Sequence, residues 1–120
     1  MRTLTVRTLA IVSSALVLVA CQGQPPAKPI TPEESAALKP ADARLAGLYE
    51  QACKSCHTVA DTGAPLTGDR VQWDVRWKKG EAELVNSAIN GLGGMPAGGQ
   101  CFACSSDDYK ALIAFMAGRE

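Results

Sequence analysis

The feature that most constrains this chain is a short motif, Cys-Lys-Ser-Cys-His, at residues 53–57. The spacing C-x-x-C-H is typical of covalent haem attachment. Two thiols can add across the two vinyl groups of one porphyrin, and two intervening residues let one turn of backbone present both sulfur atoms to the same ring edge. We therefore predict that Cys53 and Cys56 hold one haem c and that His57 binds its iron.

A second axial ligand must be of another residue type, because His57 is the only histidine. The alternatives are Met95, Met116, a lysine or an open position. Met95 lies in a Gly-Gly-Met-Pro-Ala-Gly-Gly segment, where glycines let the backbone approach a ring closely and Pro96 stiffens the turn. Met116 falls on the apolar stripe of a predicted helix, where methionine is typically a core residue. We favour Met95.

Ligation by histidine and methionine raises the reduction potential of haem iron. With both axial positions filled, no position is left for oxygen. The ligand set therefore favours a one-electron carrier over an oxygen-activating enzyme, and no catalytic residue is expected.

The chain has 120 residues, which allows one small domain. Residues 1–20 have a basic start, an apolar run and a small-residue end, as secretory signal peptides do. The run of roughly 12 residues is short for a transmembrane helix, which needs about 20. Its end, Leu-Val-Ala-Cys, resembles a bacterial lipoprotein signal in which cleavage precedes a lipidated Cys21. The alternatives are a transmembrane anchor and ordinary secretion.

Residues 21–41 contain five of the seven prolines, and we interpret them as a lipid anchor and proline-rich tether. Thr31 is followed by Pro-Glu-Glu, so this segment is either disordered throughout or contains one short helical turn. Residues 42–120 form the predicted haem domain. Without residues 1–20 the formal charge is about −2, with no basic cluster of the kind that nucleic-acid binding requires.

Periodicity in the haem domain predicts helices and no strand. The first helix has Asp42 as its cap and runs into the haem motif. Residues 58–80 are predicted to be a loop with one turn around Trp73 to Trp77. The second helix spans residues 81–90, and the last begins at Ser105 with a capping box.

Two of the five cysteines, Cys101 and Cys104, are not used by the haem or by the lipid. In an oxidising periplasm such a close pair is expected to form a disulfide.

Residues 42–120 resemble class I cytochromes c, and among them the cytochrome c5 group. The matching residues are CKSCH at 53–57, Gly63-Ala64-Pro65, Gly68-Asp69, Trp73, Arg76, Asn90-Gly91, Gly94-Met95-Pro96, Gly98-Gly99 and Cys101-x-x-Cys104-Ser105.

The resemblance implies an all-α fold in which three main helices and their loops surround one covalent haem, and in which the first and last helices cross near Tyr49 and Phe115. It implies that the Pro65 carbonyl accepts a hydrogen bond from His57. It also places Trp73 and Arg76 near the haem propionates, although packing and a solvated charge would explain these two residues equally well.

These observations predict a monomeric, lipid-anchored electron carrier on the periplasmic side of a bacterial membrane, with redox proteins as partners. A haem-based sensor and an accessory haem subunit of a larger redox complex are the alternatives within haem proteins. A four-thiolate zinc module and a thiol oxidoreductase are alternatives outside that class.

Overall fold

The computed structural model describes residues 27–120. The predicted signal peptide and the candidate lipidation residue Cys21 lie outside the described residues. The helices are α1 Pro32–Ala37, α2 Ala43–Ala52, α3 Lys54–His57, α4 Arg70–Trp77, α5 Glu81–Asn90 and α6 Ser106–Met116, with a 3₁₀ turn at Ala97–Gln100. Within residues 27–120 there is no strand, only one isolated bridge between Leu92 and Met95. The predicted all-α class is confirmed.

The starts of α2 and α6 are fixed by caps that also connect the two helices. The Asp42 carboxylate accepts a hydrogen bond from the Leu45 N–H at 2.8 Å. Ser105 and Asp108 form a reciprocal capping box. The same Asp108 carboxylate accepts two hydrogen bonds from the guanidinium of Arg44 in α2, at 2.6 and 2.8 Å. Because of this guanidinium, the pKa of Asp108 lies well below its usual value.

The core lies where α6 packs against α2 and α5. At the crossing of α2 and α6 the rings of Tyr49 and Phe115 meet edge to face, with centroids 5.1 Å apart, a favoured geometry for aromatic pairs. The buried core residues are Tyr49, Trp73, Val85, Ala88, Leu112, Ile113, Phe115, Met116 and Ala117.

Helix α4 is longer than the single turn predicted near Trp73. Its start is capped by Asp69, whose carboxylate accepts hydrogen bonds from the backbone N–H groups of Val71 and Gln72. Val71 and Val75 are 44 % and 62 % exposed. An apolar stripe is therefore missing from much of the helix, and this is why periodicity did not reveal it.

Helix α1 differs from a free tether in its packing. It has the capping box expected from the Thr31-Pro-Glu-Glu sequence, and its residue Ser35 is fully buried. The sequence predicts that the folded part begins near Asp42, and the buried contact of Ser35 with the domain lies seven residues before that point. Among the helices of residues 27–120, none has the length and apolar character required to cross a bilayer.

Candidate functional site

The two thiols of the C-x-x-C-H motif are presented by one turn of backbone. Helix α2 ends at Ala52, and the carbonyl of Cys53 then accepts hydrogen bonds from the N–H groups of Cys56 and His57, at 3.3 and 3.0 Å. Both thiols are free, with Cys53 half-buried and Cys56 exposed. This turn brings both sulfur atoms and the imidazole into five consecutive residues, as attachment to a single ring requires.

The Cys53 thiol is not poised for disulfide exchange. Burial raises its pKa to about 11, so the nucleophilic thiolate is scarce at neutral pH. Cys53 is therefore a poor nucleophile for the exchange reaction that a thiol oxidoreductase needs.

The imidazole of His57 is buried, and its orientation is fixed by one backbone group. Its Nδ1 atom lies 2.8 Å from the Pro65 carbonyl oxygen. Since a carbonyl can only accept, Nδ1 carries the proton and the Nε2 lone pair is free to bind a metal. Burial lowers the pKa of His57, the bond to Pro65 opposes this shift, and the charge of Arg76 adds to it. The neutral imidazole that iron ligation requires is therefore favoured.

Trp73 and Arg76 lie on α4 beside this histidine. The Trp73 ring is nearly parallel to the His57 ring, with centroids 6.0 Å apart, and its indole N–H donates to the Leu66 carbonyl at 2.8 Å. The Arg76 guanidinium donates to the Gln72 carbonyl at 2.9 Å. Trp73 thus has a packing role, while a role for either residue at haem propionates stays a prediction.

Met95 lies at the end of a tight turn after α5. The backbone N–H and C=O groups of Leu92 and Met95 pair at 3.1 and 3.0 Å. Gly91, with φ of 85°, packs against this turn, since a Cβ on it would lie 2.9 Å from the Met95 carbonyl oxygen. The Met95 side chain is half-buried and packs against the core, as does Cys53. A soft thioether is therefore held in a defined position.

The loop that follows Met95 is fastened to α6. The Tyr109 hydroxyl lies 2.9 Å from the carbonyl of Gly98 and 3.1 Å from that of Cys101. The sulfur atoms of Cys101 and Cys104 are bonded to each other. Because this bond uses both thiols, the two cysteine pairs do not form a four-thiolate zinc site in this structure.

The chemistry of these donors fits a c-type haem. The structure offers two free thiols on one turn, a neutral imidazole with its Nε2 lone pair available, and a thioether on a glycine-rich loop. These are Cys53, Cys56, His57 and Met95.

Three polar residues behind His57 were missed by sequence reasoning. Ser35 and Thr67 are fully buried, and the Tyr49 hydroxyl donates to the Thr67 side chain at 2.9 Å. The family resemblance assigns Tyr49 only an aromatic position near the helix crossing. The sequence carries no local signal for the other two, because their partners are 18 to 32 residues away.

Comparison with known proteins gives one family match and several similar relatives. Residues 40–116 match the family described as cytochrome C oxidase, cbb3-type, subunit III. Cytochrome c5 of Azotobacter vinelandii is 38% identical over 68 residues, which cover 55% of this chain and 82% of that protein. Cytochrome c5 of Ectopseudomonas mendocina is 35% identical over 68 residues, covering 55% of this chain and 78% of that protein. Cytochrome c-555 of Prosthecochloris aestuarii is 33% identical over 55 residues, which cover 46% of this chain and 56% of that protein.

Proposed function

Since this chain belongs to the cytochrome c family, as a class I member similar to cytochrome c5, we propose that it is a membrane-anchored electron carrier of the bacterial periplasm. It is an electron-transfer protein rather than an enzyme, and its cofactor is one covalent haem c. The observation that carries the proposal is the His57 imidazole, which follows two free thiols and has its Nδ1 atom held by Pro65.

The haem, when bound, supplies a one-electron couple. Cys53 and Cys56 would hold it through thioether bonds, and His57 and Met95 would be the protein ligands of its iron. The Pro65 carbonyl fixes the imidazole plane and raises the basicity of Nε2. The Met95 thioether favours a high reduction potential. With both positions filled by the protein, an external ligand would bind only by displacing one of these two side chains.

The rest of the chain delivers this domain to a membrane. Residues 1–20 are a lipoprotein-type signal peptide and Cys21 is lipidated. Residues 21–41 contain the anchor and the tether, of which helix α1 packs on the domain, and residues 42–120 carry the haem. The protein is a monomer, and its partners are redox proteins that face the periplasm. The match to an oxidase subunit family supports one alternative, an accessory haem subunit of a larger redox complex.

Mass spectrometry of the mature protein, made in a host that attaches haem, tests the proposal. We expect the added mass of one haem, lipid on Cys21 and the loss of two hydrogen atoms at Cys101 and Cys104. The variant Cys21→Ser should keep haem and move to the soluble fraction. A chain without haem would overturn the electron-carrier function, whereas haem without lipid would overturn only the anchoring. Co-purification of the wild type in a stable complex would favour the accessory subunit.

A variant of the axial methionine tests the ligand set. Met95→Ala should lower the reduction potential and let the reduced protein bind carbon monoxide. Met116→Leu is the matched control, because Met116 is a buried core residue, and it should change neither property. Carbon monoxide binding by the wild type would contradict the filled iron and favour a sensor.

A further inference from the structure

Helix α1 lies before the residues that match the family, yet it is part of the packed domain. The family match begins at residue 40. Ser35 in α1 is fully buried, and its hydroxyl lies 2.8 Å from the Thr67 carbonyl oxygen and 3.3 Å from that of His57. A buried hydroxyl placed between two carbonyl groups of another segment is a specific contact rather than an incidental one.

The two carbonyl groups lie at the two ends of the loop that orients the imidazole. The Thr67 N–H donates to the His57 carbonyl at 2.6 Å, which closes the loop at its base. Within the loop, Pro65 accepts from Nδ1 of His57. Ser35 therefore contacts the backbone of both residues that define the base of this loop.

Apolar contacts hold α1 over the same place. Gly68 directly follows the loop, and a Cβ on it would lie 2.7 Å from the Leu38 Cδ1 atom and 3.0 Å from the Ile30 Cδ1 atom. Ile30 precedes α1 in the chain and Leu38 follows it, so residues at both ends of this segment contact Gly68. The capping box between Thr31 and Glu34 makes the helix between them well defined.

We propose that residues 30–38 form a proximal strap and that Ser35 is a positioning residue for the iron ligand His57. Ser35 holds the base of the loop from His57 to Thr67 and so fixes the Pro65 carbonyl that orients the imidazole plane. This role rests on the proposed function, in which His57 binds haem iron.

The test compares Ser35→Ala with Ser106→Ala in the full-length, haem-loaded protein. Ser106 is exposed, and its side chain makes no hydrogen bond within the part of the chain that the structure describes. Ser35→Ala should lower the hydrogen-exchange protection of the Thr67 N–H by about tenfold, the effect of one lost hydrogen bond. Cleavage after Glu34 by a glutamate-specific protease should rise by a similar factor. Ser106→Ala should change neither.

The readout of positioning is the electron paramagnetic resonance spectrum of the oxidised protein, whose g-values depend on the axial ligand orientation. Ser35→Ala should shift them, and Ser106→Ala should not. A third variant, Leu38→Ala, loosens the strap without removing a hydrogen bond and should shift them in the same direction.

Each outcome decides between distinct conclusions. Lower protection with unchanged g-values in both strap variants would make the strap structural only and would overturn the role of Ser35. Unchanged protection would overturn the strap itself. A wild-type protein that carries haem separates both results from a failure of the proposed function, which would appear as a chain without haem.

Discussion

Gly91→Ala is the substitution for which the structure predicts a large effect confined to the Met95 turn. Gly91 has φ of 85° and ψ of 154°, a region that is nearly restricted to glycine and costs other residues about 1–3 kcal/mol. A Cβ would lie 2.9 Å from the Met95 carbonyl oxygen, 3.0 Å from the Ala97 nitrogen and 3.2 Å from the Pro96 carbonyl carbon. These are backbone atoms, so the turn must move, and crowding of this kind costs about 1–3 kcal/mol more. We expect a loss of about 4 kcal/mol in the free energy of unfolding.

Gly93→Ala is the matched control in the same loop. Gly93 also has a positive φ, 59°, but a Cβ on it would meet no atom within 4 Å. Only the left-handed conformation is penalised, by about 1–2 kcal/mol. The two variants should therefore differ by about 2 kcal/mol, which corresponds to a factor of roughly 30.

Two assays on the haem-loaded variants measure this difference. Unfolding in guanidinium chloride gives the change in stability. Titration of the oxidised protein with imidazole, which would compete with Met95 in the proposed ligand set, gives the change in the turn alone. Release of Met95 relieves the crowding, so Gly91→Ala should bind imidazole up to roughly 30-fold more tightly than Gly93→Ala. Equal stability and equal imidazole affinity in the two variants would refute this reasoning.

Two further substitutions, the second with a control variant, test contacts in the fold. The pKa of Asp108 is lowered, chiefly by its hydrogen bond from Arg44, so its contribution to stability is complete above the ordinary pKa of 3.8 and is lost as the pH falls toward the lower folded value. Asp108→Asn should therefore reduce the free energy of unfolding at pH 7. It should also make that free energy fall less steeply as the pH drops below about 4, as measured by urea unfolding over this pH range. Trp73→Phe removes the donor to the buried Leu66 carbonyl and should cost about 1–3 kcal/mol. Trp77 is half-buried, and Trp77→Phe should reduce the free energy of unfolding by less than Trp73→Phe does. A larger loss for Trp77→Phe would contradict the packing role of Trp73.

Helices whose ends carry a chemical signal could be predicted from the sequence. The second predicted helix has the bounds 81–90 in the structure, where Gly91 ends it. The last helix begins at the predicted capping box of Ser105. In both, an apolar stripe coincides with a cap, so local and long-range interactions favour the same element.

The site was predictable where consecutive residues carry it and not where distant residues meet. The thiols and imidazole of residues 53–57 follow from spacing alone. Glycines marked the loop of Met95, but they did not reveal that Gly91 packs on its backbone. The contact of Ser35 with the His57 loop depends on chain segments 22 and 32 residues away, a separation that no local pattern encodes.

If Cys21 carries a lipid, as proposed, the packing of α1 also limits how far the haem domain can move from that lipid. If residues 22–41 were all extended at about 3.1 Å per residue, the domain could move up to roughly 62 Å from the lipid. With residues 30–38 packed on the domain, only residues 22–29 would connect it to the lipid. The greatest distance between the lipid and the domain would then be roughly 25 Å. The accessible volume shrinks by about fifteenfold and the local concentration at the bilayer surface rises accordingly. Such a carrier would exchange electrons by lateral diffusion among proteins of its own membrane, and not by crossing to the opposite one.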